Sequence, residues 1–178
     1  MKKNEIISSI NQSYNALFTW LEIHGEAFWD IGPEGKWNTG QQIKHLYQSA
    51  KPLNKALKIP KFILAYKFGK SNRPSRSKDQ IIERYLERLK TTQNILSPFS
   101  QNMSIPETKV RNNLIKKLKS MQHVQVKSLE TKWNEKALDI YIVPHPLMGK
   151  MTMREINIWS AYHVEHHYNS IRTNCSPF

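Results

Sequence analysis

Apolar side chains recur at spacings of three and four along most of this chain, the period of a helix with one buried stripe. The first such stretch, 4–27, carries Ile6, Ile7, Ile10, Tyr14, Leu17, Phe18 and Leu21, and Gly32-Pro33-Glu34-Gly35 follows it as a break. The second, 40–57, aligns Ile43, Leu46, Ala50, Leu53 and Leu57; Thr39 and Gln42 fit a capping box at its start, and Pro60 ends it. A third starts at a box of Ser77 with Gln80 and carries Ile81, Tyr85, Leu89 and Leu96 as far as Pro98. A fourth, near 106–131, opens with Pro106 in its first turn and turns Val110, Leu114, Leu118 and Met121 inward. The last starts at a box of Thr152 with Glu155 and ends near Thr173. Two connectors remain. Segment 58–78 is basic, with an apolar run from Phe62 to Tyr66 that should pack against the helices. Segment 132–151 holds Val143-Pro144-His145-Pro146 and Gly149.

Five amphipathic segments with irregular connectors predict an all-α fold, a helical bundle in a single domain over 1–178. Composition agrees: glycine is scarce at six residues, Asn-Gly and Asp-Gly hairpin turns are absent, and 39% apolar content excludes a disordered chain. Cys175 is the single cysteine, so no disulfide can form within the chain and a reducing compartment is expected. After Met1-Lys2-Lys3 the polar Asn4, Glu5, Ser8 and Ser9 interrupt any apolar core for export, and no stretch approaches the ~20 apolar residues of a membrane span. A soluble, cytoplasmic protein is the expectation.

The net charge of +13 is unevenly placed. Between Glu34 and Asp79 lie eleven basic residues and no acidic one: Lys36, Lys44, Lys51, Lys55, Lys58, Lys61, Lys67, Lys70, Arg73, Arg76 and Lys78. Such a field attracts nucleic acid, acidic lipid or anionic small molecules. No nucleic-acid motif accompanies it, so nucleic acid is the less favoured partner.

The candidate chemistry lies in the last helix. At about 100° per residue, Ile156, His163 and His167 point within roughly 20° of one direction, flanked by Met153, Trp159 and Ile171. Two imidazoles on an apolar face cost about 1–3 kcal/mol per unpaired polar group. A shared metal ion, or mutual hydrogen bonding in a metal-free core, would meet that cost. A metal needs a further ligand from among His24, His45, His123, His145, His166 or a carboxylate. His45 has the best context, on a capped helix, although periodicity turns it to the flank of the buried stripe. A zincin motif is excluded because Val164, not glutamate, follows His163, and Glu165 points away into solvent. His166 and His145 read as residues of a pocket rim or mouth, His24 and His123 as structural or exposed. Trp37 and Trp159 read as core anchors, and Cys175 as an inert terminal thiol. Outward-facing Ile158 and Tyr162 suggest a homodimer surface.

Three segments carry a family resemblance. Trp37-Asn38-Thr39-Gly40-Gln41-Gln42-Ile43-Lys44-His45-Leu46 resembles the first motif of the DinB-like superfamily, a tryptophan and helix cap followed by His-Leu. His145-Pro146-Leu147-Met148-Gly149-Lys150-Met151-Thr152 resembles that family's His-Pro-x-x-Gly-x-x-Thr connector, and His163-Val164-Glu165-His166-His167 its C-terminal His-x-x-x-His. The resemblance implies a four-helix bundle with a long crossover and a divalent metal, zinc or nickel, held by His45, His163 and His167. It implies a metal-dependent enzyme acting on a small-molecule substrate, in which a metal-activated thiol or water attacks a small electrophile. Relatives include transferases and isomerases that use low-molecular-weight thiols; a thiol-dependent transferase is the expectation, a hydrolase the alternative. The other reading is a non-catalytic protein with a basic surface for nucleic acid and a metal that is structural or absent.

Overall fold

A computed structural model describes residues 1–91 and 103–174. Leu96, Pro98 and Cys175, all named in the expectations above, lie outside the described residues. The chain is mostly helical: α1 (Lys3–His24), α2 (Thr39–Lys58), α3 (Lys61–Phe68), α4 (described over Lys78–Thr91), α5 (Arg111–Lys132), α6 (Glu135–Ile140) and α7 (described over Met153–Asn174). A short antiparallel hairpin, β1 (Ile142–His145) and β2 (Gly149–Thr152), precedes α7. Helix α1 packs on α7 and α5, α2 packs on α5 and α7, and α4 lies along α7.

Helix α7 is enclosed by these neighbours, and every residue from Met153 to Ala161 is buried. That enclosure corrects the outward orientation expected of Ile158 and Tyr162. Ile158 is 3% exposed and belongs to the core, while Tyr162 is half-buried with its ring edge-on to Tyr85 at 6.1 Å. A helix covered on several sides has no solvent face to offer along its first half. Its polar residues are paired internally: Gln125 on α5 donates to Asn157 Oδ1 (2.8 Å) and Ser160 Oγ (2.7 Å). Arg154 donates to both Asp139 and Glu135.

Two capping boxes form as read, Ser77 with Gln80 and Thr152 with Glu155. The third is displaced by one residue. Asn38 Oδ1 accepts from the Gln41 N–H at 2.8 Å, and Gln41 Oε1 accepts from the Asn38 N–H at 3.0 Å. Asparagine caps better than threonine, so the helix starts one residue earlier than the Thr39–Gln42 pairing requires. Gln42 is thereby turned inward. Gly40 in this first turn faces Trp29 so closely that an added Cβ would stand 2.8 Å from the indole ring.

Both connectors hold more structure than periodicity suggested. In 58–78 the apolar run becomes α3, which inserts only Leu64 into the core; Phe62 and Tyr66, one turn apart, are 75% and 91% exposed. In 132–151 lie α6 and the hairpin, with Val143 opposite Met151 and His145 opposite Gly149. The turn is closed by a side chain: His145 Nδ1 accepts from the Leu147 and Met148 N–H groups at 3.2 and 3.0 Å. Gly149 follows at φ +72°, a backbone conformation that glycine adopts without strain. Among the described residues no helix is long and apolar enough to cross a membrane.

Candidate metal centre and its cavity

The structure brings together His45 from α2 and His163 and His167 from α7. His163 Nε2 lies 3.2 Å from both His45 Nε2 and His167 Nε2, and the three potential donor atoms all fall within 4.8 Å of one another. The residues are 9%, 4% and 8% exposed. His45 thus reaches the site from the flank of its helix because α7 crosses beside α2, a relation that helix periodicity alone does not contain.

Tautomers follow from the surrounding hydrogen bonds. The Gln42 amide nitrogen donates to the Trp37 carbonyl at 3.4 Å, which leaves Gln42 Oε1 facing His167 Nδ1 at 3.1 Å. An amide oxygen only accepts, so His167 carries its proton on Nδ1 and presents a bare lone pair at Nε2. His163 is held differently: Trp159 stacks on it with centroids 4.5 Å apart and planes 18° from parallel. Burial drives the His163 imidazole well below its ordinary range, and the neighbouring His167 and His45 push it further. His167 is lowered likewise, by burial first and then by His45 and His166. Both rings are therefore neutral at pH 7, the protonation state that ligates a cation.

The donor set fits a metal ion. His163 Nε2 offers one in-plane site, a proton or a lone pair, so only one of its two 3.2 Å contacts can be a hydrogen bond and the other is left unsatisfied. Nitrogens ligating one tetrahedral ion at ~2.05 Å stand ~3.3 Å apart, close to both observed spacings. His45, His163 and His167 could hold such an ion, and among the described residues no carboxylate belongs to the cluster.

The imidazoles open into a cavity of about 1190 Å³. Trp37 is half-buried and lines it, 4.9 Å from His45 between ring centroids, so it is a wall of the site and not the core anchor expected. Trp159 is a core residue at 6% exposure and also lines the cavity. His145 and His166 both line the cavity outside the cluster, and burial lowers both, His145 to about 4. His24 stacks on Trp20 at 4.2 Å, and His123 and Glu165 are exposed.

The basic segment is not uniformly available to a ligand. Glu155 is completely buried and accepts a two-pronged contact from Arg73 at 2.6 and 2.9 Å, plus the Arg76 N–H at 2.7 Å. Arg73 and Arg76 thus serve the fold, whereas Lys36, Lys55 and Lys67 line the cavity, joined by Lys90 from α4. Sequence reasoning missed Gln42, whose place one turn before His45 was its only signal, and Tyr85, which faces His163 edge-on at 6.2 Å. No protein-family model, curated protein or solved structure matches this chain.

Proposed function

We propose that this chain is a divalent-metal enzyme of the DinB-like class, with His45, His163 and His167 holding zinc or nickel, and that it transfers a low-molecular-weight thiol to a small electrophile. One observation carries the reading: three buried imidazole nitrogens converge at the inner end of a cavity that has room for a substrate. The pairwise packing of α1, α2, α5 and α7 supports the four-helix bundle with a long crossover. When bound, the ion supplies Lewis acidity that favours the ionised form of a thiol or water near neutral pH.

The chain's own residues do the rest. Gln42 orients His167, Trp159 fixes the plane of His163, and apolar side chains line the approach to them. The donor set is neutral, so nothing in it balances a dication, which favours an anionic partner such as a thiolate from the cavity. Thiol transfer in preference to hydrolysis rests on the family resemblance.

Elemental analysis of the wild type beside His163→Ala tests the centre: near-stoichiometric metal in the first and loss in the second is expected. Cobalt-substituted protein tests the reaction class. Adding a small thiol should produce a thiolate-to-cobalt charge-transfer band, and its absence would move the reading to water activation.

A second reading has one observation in its favour. Phe62 and Tyr66 stand exposed one turn apart on α3, in a segment rich in lysine, and exposed aromatic rings in a basic segment are surfaces on which single-stranded nucleic acid bases stack. Salt-sensitive binding of an oligonucleotide, abolished in Phe62→Ala/Tyr66→Ala and unaffected by chelation, would favour it.

A further inference from the structure

The three imidazoles use a small part of a cavity larger than the ~300–1,000 Å³ usual for small-molecule sites. Its remaining lining has two characters. Leu53, Phe68, Leu147 and Ile156 give it an apolar wall, with Trp37 and Tyr85 as aromatic faces. Lys36, Lys55, Lys67 and Lys90 reach it from the loop before α2, from α2, from α3 and from α4. All four lysines are exposed, so they form its solvent side, whereas the imidazoles are buried. None of the four has an ion-pair partner among the described residues, and no Asp or Glu is among the described residues that line the cavity.

Four unpaired cations around an apolar hollow match neither a small hydrated anion nor a neutral oil. A small anion would leave the wall wetted. A neutral ligand would leave the cations unused. We propose that the cavity binds an amphipathic anion, a molecule with a terminal carboxylate or phosphate held among the lysines and an acyl or aryl body lying along the wall. The inference deepens the proposed function and rests on it for the reactive end, since a body of that form directs its far portion toward His45, His163 and His167.

Laurate, octanoate, acetate, dodecanol and dodecyltrimethylammonium, each below its micellar concentration, are the probes. Binding is read by calorimetry and by tryptophan fluorescence, because Trp37 and Trp159 line the cavity. Laurate should bind, with affinity falling about fourfold for each methylene removed toward octanoate. Dodecanol and dodecyltrimethylammonium should bind more weakly, and rising salt should weaken the two carboxylates laurate and octanoate but not dodecanol. Lys55→Gln/Lys67→Gln, both exposed changes, should cost laurate about five- to tenfold and leave dodecanol unchanged. Equal binding of laurate and dodecanol, or laurate no tighter than acetate, overturns the proposal. The same titration in metal-free His163→Ala separates the two readings. Retained laurate binding supports the cavity assignment even where metal content is zero, and zinc uptake without laurate binding overturns that assignment and leaves the metal centre standing.

Discussion

Gln42 Oε1 on α2 and His167 Nδ1 on α7 lie 3.1 Å apart, and this hydrogen bond determines which nitrogen of His167 faces the other two imidazoles. Outer partners of ligating histidines of this kind are worth ~10–100-fold in metal affinity. Gln42→Leu should therefore weaken zinc binding by about that factor, while Gln42→Glu, which keeps an acceptor at the same reach, should recover most of it. Competition against a chromophoric chelator measures both. An unchanged affinity in Gln42→Leu would show that His167 is oriented by packing alone.

The same residue shows what the sequence could and could not reveal. Thr39 and Gln42 satisfy the spacing of a capping box, and nothing local distinguishes them from Asn38 and Gln41, which form it. Only the arrival of α7 beside α2 gives Gln42 another partner. His163 and His167 were legible because they interrupt an apolar stripe on one helix. Placing His45 needed a family resemblance, because its orientation depends on a crossing between segments 118 residues apart. The hairpin escaped notice because its turn uses the His145 ring in place of an Asn-Gly pair. Cationic residues next to one another in sequence were split by the fold, Arg73 and Arg76 to Glu155 and Lys67 to the cavity.

Glu155 should determine acid stability below the histidine range. Burial by itself raises its carboxyl, but hydrogen bonds from Arg73 and from the Arg76 and Thr152 N–H groups, with the Arg73 charge, outweigh burial and hold it below its ordinary value. A carboxyl depressed in the folded state contributes stability that is present above its unfolded pKa of ~4.3 and is lost as pH falls through the folded value. Glu155→Gln, which cannot ionise, should flatten the decline in urea midpoint below about pH 4. At pH 7 it should cost toward the lower end of ~3–5 kcal/mol, since both guanidinium groups stay partly in water.

Gly40 is required by the approach of Trp29. The indole donates from Nε1 to the Pro106 carbonyl at 2.8 Å, and the Trp29 carbonyl accepts from the Gly40 N–H at 2.8 Å, so the ring cannot withdraw without breaking contacts on both sides. A methyl group at position 40 meets the ring at 2.8 Å. Gly40→Ala should destabilise by about 1–3 kcal/mol despite the better helix propensity of alanine, which is worth ~1 kcal/mol in the opposite direction. Gly40→Ala should cost less when introduced into Trp29→Phe, whose ring is shorter, than into the wild type in the same urea titration. Full wild-type stability of Gly40→Ala would mean that α2 slides to accommodate the methyl.

Histidine burial gives the metal-free protein a second and milder acid limit. His145 falls from 6.5 to about 4 because burial disfavours its charged form, and His163, His166 and His167 move in the same direction. For a base lowered by folding, the unfolded chain binds the proton first. Stability is therefore full above the unfolded value near 6.5 and declines as pH drops from there to the folded value. Each such group contributes a slope of up to ~1.4 kcal/mol per pH unit within its window. Chelator-treated protein should lose urea resistance from pH 6.5 downward, well before any carboxylate titrates. His145→Asn keeps an acceptor for the hairpin N–H groups but cannot take up a proton, so it should reduce the slope between pH 6.5 and 4 by about one group's worth. A slope unchanged in that variant would mean that the proton uptake belongs entirely to the histidines of α7 and that the hairpin is indifferent to acid over this range.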